Sequence, residues 1–492
     1  MNFDLHPRVR HILQVVRREA PAGLPVYLVG GAVRDLLRGR PVHDLDFTVL
    51  GEIRPLARRV ADALGGDFYM LDEERDTARV IEHAEDGERT FLDFCALRAP
   101  DLLADLRDRD FTVNAMACSI RQLDELIDPT GGADDLRAGR LRACGPAAML
   151  ADPVRVLRGV RQALDLNFAI TTDTWDLMRA AVPRLEVISA ERLRDELFRI
   201  LESPRAAEAL SRLDELGVLA FLLPELGVLK GVTQSPPHIL DVWEHTLSLV
   251  DQLPRVWAAL LDGEAGEDPA LSLAAERLAR FQAGLAGHFA TAINPNRSLR
   301  ALLSLAGLLH DAAKPASRSL DPDGRVRFFG HEERGGRLAV EIGRRLALSQ
   351  AEWERLAVLV GEHMRIHHLA GAAGAPARRV LYRFFQACGP AGVDLALLSL
   401  ADLRATYGPG LPKTLWEREL SVAEALFAAW FEQPAQVVSP PRLLTGDELM
   451  AELRLTPGPR IGRLLAAIRE AQAAGEIATR AEALEFARRI PE

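Results

Sequence analysis

Lysine is nearly missing from this chain: of 60 basic residues, all but Lys230, Lys314 and Lys413 are arginine. That excludes a lysine-coated surface. The Ala-rich, Arg-for-Lys composition reads first as compositional bias, although arginine also suits bidentate contacts with phosphates and base edges. Cysteine is scarce as well. Cys95, Cys118, Cys144 and Cys388 lie far apart with no C-x-x-C pair, which fits neither a disulfide framework nor a zinc ribbon and predicts reduced core residues. No apolar run approaches the roughly 18 residues of a membrane-spanning helix. The stretch Met1 to Arg18 has scattered charge and no apolar core, which points away from a secretory signal and toward a soluble, cytoplasmic protein with no membrane association. A net charge of −10 argues against a uniformly basic surface but leaves room for a local basic groove.

At roughly 100 to 200 residues per domain, 492 residues predict about three domains or more. Short apolar runs at Val26–Val29, Asp44–Leu50 and Thr90–Leu97 alternate with helical stretches, and residues 1–145 read as an α/β head. The rest reads as helical. An all-α neck follows at 146–235, a third domain at 236–408, and a helical tail at 409–492, giving an α+β chain overall. Eight of the twelve histidines fall between His238 and His368, where uniform scattering would put about three. Asp262 to Pro295 is acidic and then Ala-rich and reads as an insertion or flexible edge.

The head carries the first constellation. Gly30-Gly31 follows the strand Val26–Val29 and opens a helix bearing Arg34. Such a turn lets backbone approach a phosphate chain whose charge meets the helix N-terminus. In His43-Asp44-Leu45-Asp46-Phe47, two carboxylates share one side of a strand. An isolated D-x-D reads as a solvated strand end. Behind a phosphate-type turn, however, two carboxylates this close call for a cation, and Mg2+ suits an all-oxygen site that also holds phosphates. Asp93, on the strand-like Thr90–Phe94, is the candidate third carboxylate.

The second constellation is a rank of arginines. Arg109-Asp110-Phe111-Thr112-Val113-Asn114 precedes Asp152-Pro153-Val154-Arg155, and Arg155, Arg158 and Arg161 step by three along a helix whose Val156, Leu157 and Val160 face inward. Asp152 before Pro153 also reads as a helix N-cap, and arginines on helices are usually solvated. Yet an arginine beside an aspartate offers donors and an acceptor that match the edge of a base.

Taken together, Y-L-V-G-G-A-V-R-D-L-L (27–37), H-D-L-D-F (43–47), R-D-F-T-V-N-A-M-A (109–117), D-P-V-R-V-L-R-G-V-R (152–161) and E-R-L-R-D-E-L (191–197) resemble the ordered motifs of class II tRNA nucleotidyltransferases and bacterial poly(A) polymerases. The resemblance covers about the first 235 residues. It implies addition of C, as CC or full CCA, to a tRNA 3′ end from CTP and ATP without a nucleic-acid template, through two-metal attack of the 3′-hydroxyl and release of pyrophosphate. It implies that Asp44 and Asp46 bind Mg2+. It further implies that Gly30, Gly31, Arg34 and Arg109 hold the triphosphate and ribose, and that Asp152, Arg155, Arg158 and Arg161 select the base. One position departs: the family has Glu before that Asp, and this chain has Ala151. The stretch Phe68 to Arg79 also departs from the full-length loop of CCA-adding members, which points to CC addition.

The third constellation is His245, His310-Asp311, His331, His363 and Asp402. Imidazoles with two carboxylates suit a transition-metal centre in which an aspartate can bridge two ions. The set resembles that of HD-superfamily phosphohydrolases, which implies hydrolysis of a phosphoester at an RNA 3′ end with Mn2+, Ni2+ or Co2+; His367 and His368 are second choices. The tail, 444–488, resembles the C-terminal part of bacterial tRNA nucleotidyltransferases and is expected to contact the tRNA body. Two rival readings are a poly(A) polymerase and an HD hydrolase with a regulatory nucleotide-binding head.

Overall fold

Every strand of the main sheet lies in the first part of the chain, where β-branched and aromatic residues alternate in and out of a core. The computed structural model describes residues 5–73, 76–84, 87–97, 99–372 and 374–490. The chain divides into two units, Met1–Ser189 and Ala190–Glu492, so the expected neck is shared between them.

In the first unit the order is α1 (Pro7–Glu19), β1 (Val26–Val29), α2 (Gly31–Leu37), β2 (Asp44–Val49), α3 (Ile53–Leu64), β3 (Asp67–Asp72), β4 (Thr77–His83), β5 (Arg89–Ala96), α4 (Leu102–Arg107), β6 (Ala117–Ser119) and β7 (Gln122–Ile127). The seven strands pair as β3-β4-β5-β2-β1-β6-β7. Only β2 and β5 among them run parallel, and their register sets Asp46 beside Asp93. Leu28, Leu45, Phe47, Leu92 and Phe94 point to the opposite face and pack under α1 and α3; Phe47 stacks on Phe94 with ring centroids 4.9 Å apart. Period-two alternation thus turns one face of the sheet to the core and the other to the carboxylates. The unit continues with α5 (Gly132–Ala138), α6 (Ala148–Ala151), α7 (Arg155–Leu166) and α8 (Thr172–Ala181). Asp152 lies in the break between α6 and α7, whose N-cap is Val154. The expected N-cap role of Asp152 is therefore not what it does.

The second unit is built of helices with one short hairpin (Ser319–Arg327). Its helices are α9 (Ala190–Leu201), α10 (Ala206–Leu216), α11 (Val218–Leu222), α12 (Val242–Trp257), α13 (Pro269–Leu278), α14 (Gln282–Ala290), α15 (Leu299–Leu309), α16 (His331–Arg345), α17 (Gln350–Gly361), α18 (Arg365–Gly371), α19 (Arg378–Cys388), α20 (Ala391–Tyr407) and α21 (Lys413–Phe427), followed by α22 (Gly446–Leu453), α23 (Pro459–Ala474) and α24 (Arg480–Arg489). The segment expected to be an insertion forms α13 and α14, whose Leu271, Leu278, Leu285 and Phe289 are buried. The last three helices enclose a small core of their own around Leu449, Leu464 and Ile468.

A buried ion pair ties the E-R-L-R-D-E-L helix into this unit. Arg297 binds Glu352 at 2.6 and 2.7 Å and reaches Asp195 of α9 at 3.4 Å, while Arg194 donates to the carbonyl of Ala347. Among the described residues no single helix is long and apolar enough to cross a membrane. All four cysteines are free thiols, with Cys118 and Cys388 buried.

Candidate active sites

The first site grows out of the turn between β1 and α2. Gly30 has φ 73° and ψ −138°, a region essentially closed to residues with a Cβ. A Cβ there would also meet Arg109 Nη1 at 3.1 Å and Asp46 Oδ2 at 3.6 Å. Gly30, Arg109 and Asp46 therefore share one small space. Asp44 is exposed at the start of β2, and Asp46 is half-buried. Burial, together with the Asp93 carboxylate and against the pull of Arg109, raises the Asp46 pKa to about 6. A carboxylate raised by its neighbour is one that a cation would relieve, so the donor set fits a divalent ion.

Asp93 is already engaged. Both its oxygens accept from Arg79, from Nε and Nη2 at 2.7 Å each, because β4 and β5 place Arg79 directly opposite it. Reading the sequence missed Arg79, since strand register is invisible until pairing is known.

The motif around Arg109 forms a hydrogen-bonded frame. Arg34 donates to Asn114 Oδ1 at 2.6 Å, and Asn114 Nδ2 donates to Asp110 (3.1 Å) and Gln162 (2.9 Å). Arg158 reaches Asp110 Oδ2 at 3.4 Å. Asp110 and Asn114, quoted earlier only as motif letters, are thus what links the turn of Arg34 to the arginine rank. The three arginines do line one half-buried face of α7, with Val156, Leu157 and Val160 buried behind. They are nevertheless differently occupied. Arg155 donates to the carbonyls of Asp108 and Ala148, at 3.0 and 3.1 Å, and Arg161 pairs with Asp165 at 3.3 Å. Arg109 and Arg155, with Thr48, Cys95, Asp105 and Asp108, line a cavity of about 320 Å3.

The second site is buried. Helix α15 ends at Leu309, His310 to Lys314 form turns, and His310 Nδ1 bonds back to the carbonyl of Gly307 at 2.7 Å. His331 and His363 repeat the device on the carbonyls of Phe328 and Val360, at 2.8 and 2.7 Å. Fixing Nδ1–H this way turns each Nε2 lone pair inward, as a metal ligand requires.

The inward atoms converge. Asp311 Oδ2 lies 3.0 Å from His310 Nε2 and 3.7 Å from His245 Nε2, while Oδ1 lies 3.3 Å from His331 and 3.8 Å from His363. His245 also sits 3.0 Å from Asp402. All six expected ligands are buried, in two groups, His245 with His310 and Asp402 and Asp311 with His331 and His363, and Asp311 also approaches both histidines of the first group. His310 Nε2 is buried without a hydrogen-bond partner of good geometry. Burial and nearby His310 push His363 down to about 3, keeping it neutral, whereas on His310 the effect of Asp311 outweighs burial and the pKa rises. Buried nitrogen and oxygen atoms left without hydrogen-bond partners are what a cation would satisfy, and the donor set fits one or two transition-metal ions.

His367, a second choice earlier, backs the ligands. It bonds Asp402 Oδ2 at 2.9 Å and Glu419 at 2.8 Å; burial opposes its charge, but the two carboxylates raise it to about 10. Lys314 bridges Asp311 and Gln234 at 2.7 and 2.6 Å. Lysine three residues after Asp311 was legible as a partner; Glu419, on a later helix, was not.

A seven-stranded head with clustered carboxylates is thus joined in one chain to a helical unit with a buried His/Asp cluster. Known families divide it the same way: the Poly A polymerase head domain matches residues 26–142, the probable RNA and SrmB-binding site of polymerase A matches 167–229, the HD domain matches 273–407, and the putative tRNA nucleotidyltransferase domain 2 matches 429–487. His245 lies before the HD match, yet the fold brings it in.

The chain is 38% identical to an A-adding tRNA nucleotidyltransferase of Deinococcus radiodurans, over 94% of this chain and 95% of that one. It is 35% identical to a CC-adding tRNA nucleotidyltransferase of Thermus thermophilus, over 93% and 92%. In fold it matches a Thermotoga maritima CCA-adding enzyme solved with tRNA, with TM-score 0.54, 21% identity and coverage of 98% and 95%. The chain belongs to the class II tRNA nucleotidyltransferases that carry an HD domain, and it is a nucleotidyltransferase acting on tRNA 3′ ends.

Proposed function

We propose that this chain builds part of the tRNA CCA end, adding CC from CTP, and that its HD centre hydrolyses phosphoesters at RNA 3′ ends. The observation that carries the first half is the close grouping of Asp46, Gly30 and Arg109 beside exposed Asp44. In this reading Asp44 and Asp46 hold Mg2+, with Asp93 held in place by Arg79 as their neighbour. A magnesium ion held there would supply Lewis acidity for attack by the tRNA 3′-hydroxyl and charge stabilisation for the departing pyrophosphate. Gly30 and Gly31 let the triphosphate approach backbone, and Arg34 and Arg109 meet its charge. Asp152, Arg155, Arg158 and Arg161 present donors and an acceptor to the base in place of a template. The chain is read as head (1–145), neck (146–235), HD domain (236–408) and a tail (409–492) that contacts tRNA.

Partial addition is favoured by the connection between β3 and β4, which leaves only residues 73–76 between the strands; of the stretch read earlier as an altered loop, Glu74 and Arg75 lie outside the described residues. A second reading, addition of the terminal A from ATP, draws on the A-adding relative. To separate them, pure protein is incubated with tRNA lacking CCA, or ending in CC, with CTP or ATP singly, and product ends are sequenced. Two C residues added from CTP and no A on the CC end support the reading. A alone on the CC end supports the second, and extension to full CCA defeats both.

In the HD centre His245, His310, Asp311, His331, His363 and Asp402 would hold Mn2+, Ni2+ or Co2+, which supplies Lewis acidity and a nucleophile drawn from water at neutral pH. Asp311, which approaches histidines of both groups, would be shared if two ions bound. Lys314, beside the Asp311 carboxylate, is placed to meet the charge of a phosphoryl oxygen.

A further inference from the structure

The chain between α21 and α22 lies against two other helices. Its carbonyls at Gln436 and Val438 accept from Arg378 Nη2 (3.4 Å) and Gln386 Nε2 (3.3 Å) of α19, and its carbonyl at Pro441 accepts from Gln472 Nε2 (2.9 Å) of α23. These three walls bound a cavity of about 300 Å3, lined by Tyr382 and Gln386 of α19, Ser439 and Arg442 of the connecting segment, and Arg469 of α23. That volume is the lower end of the range for small-molecule sites.

The lining carries positive charge and no carboxylate. Nearby on the same helix pair the arginines are neutralised: Arg379 binds Glu476 at 2.7 Å and Glu470 at 3.4 Å, and Arg383 binds Glu470 at 2.6 Å. Arg442 and Arg469 have no such partner among the described residues. Tyr382 is only 7% exposed, yet its phenol also lacks a hydrogen-bond partner among the described residues. Burial raises that phenol above its ordinary range, against the pull of Arg469, so it remains an O–H donor. Two guanidiniums sharing one small space repel, and a nearly buried hydroxyl without an acceptor costs stability. One ligand answers both: an anion with several oxygens, which accepts from the forked guanidiniums and from the phenol together.

We propose that Arg442, Arg469 and Tyr382 form a binding site for a doubly charged phosphate oxyanion, which links α19, α23 and the segment between α21 and α22. Charge separates the sources of that chemistry. Free phosphate or pyrophosphate can match both guanidiniums, whereas each diester of an RNA backbone carries one charge and leaves the second guanidinium unmatched.

The test uses the full chain in magnesium-free buffer at about pH 8, above the second pKa of a phosphate group. Phenylglyoxal labels accessible guanidiniums, and peptide mass spectrometry reads each arginine separately, so the signal is local to the cavity. Saturating inorganic phosphate or pyrophosphate should slow labelling of Arg442 and Arg469 by about tenfold, because the bound anion occupies their N–H groups. Arg463, exposed on the same helix α23, should label at an unchanged rate. In R442Q the phosphate concentration that half-protects Arg469 should rise about tenfold, and in Y382F, which keeps the ring, it should rise about fivefold for both arginines. Labelling that neither free anion slows overturns the proposal, as does equal protection of Arg463 or half-protection of Arg469 unchanged in R442Q. Protection by an oligoribonucleotide without a terminal phosphate, and by neither free anion, also overturns it and gives the pair of arginines to RNA. Where both free anions protect, the one acting at the lower concentration is the better ligand.

Discussion

The two centres of this chain solve the same problem, holding a divalent cation, in opposite ways. In the head, oxygen donors sit on neighbouring strands with Asp44 exposed and Asp46 half-buried. In the HD domain, imidazoles and carboxylates are buried, and three of the imidazoles are held by the backbone carbonyl three residues earlier. The difference teaches what each centre expects of its metal. An open carboxylate pair binds weakly until substrate phosphates complete the shell, as magnesium prefers. A preformed N/O cage holds a transition metal whether or not substrate is present.

The largest effects come from removing either donor set. D44A/D46A should lower nucleotide addition by about a thousandfold or more, as expected when charge stabilisation at a phosphoryl centre is lost. Binding of tRNA, measured by gel shift, should hardly change. H310A/D311A should abolish metal-dependent hydrolysis of 2′,3′-cyclic nucleotides and leave nucleotide addition intact in protein shown to be folded by circular dichroism. A joint loss of both activities would erase the contrast between the centres.

A subtler variant sharpens the head site. The Asp46 pKa is raised to about 6, and Arg79 is among the charges that hold it down. Because the folded pKa is raised, the proton competes with the cation below pH 6, and Mg2+ affinity falls as pH falls through that value. R79M removes a positive charge, so the midpoint of Mg2+ binding in a calorimetric pH series should move to higher pH. An unchanged or lower midpoint would mean that the Arg79–Asp93 pair does not act on Asp46.

The smallest effect tests the frame behind the arginine rank. A Cβ on Gly159 would meet Phe111 Cζ at 2.8 Å and Met178 Cε at 3.1 Å. G159A should therefore destabilise the first unit by roughly 1 kcal/mol, overpacking of about 1–3 kcal/mol being partly offset by better helix propensity. Urea unfolding followed by circular dichroism measures it.

Much of this was legible in the sequence because it is local. Strand β1, the Gly30-Gly31 turn and the inward face of α7 follow from period and turn chemistry within a dozen residues. The HD ligands were legible because histidine is rare and clusters. What was not legible depends on pairing between distant segments. Arg79 meets Asp93 through antiparallel register, and Glu419 reaches His367 from another helix. The occupation of Arg155 by the carbonyls of Asp108 and Ala148 likewise has no signature in spacing.

The proposed contrast between an open magnesium site and a resident transition-metal cage is tested most directly by the metal content of the purified protein. Elemental analysis after exhaustive dialysis should find a transition metal in the wild type and in D44A/D46A, and none in folded H310A/D311A, with magnesium absent from all of them. Transition metal lost from D44A/D46A but kept by H310A/D311A would contradict the account.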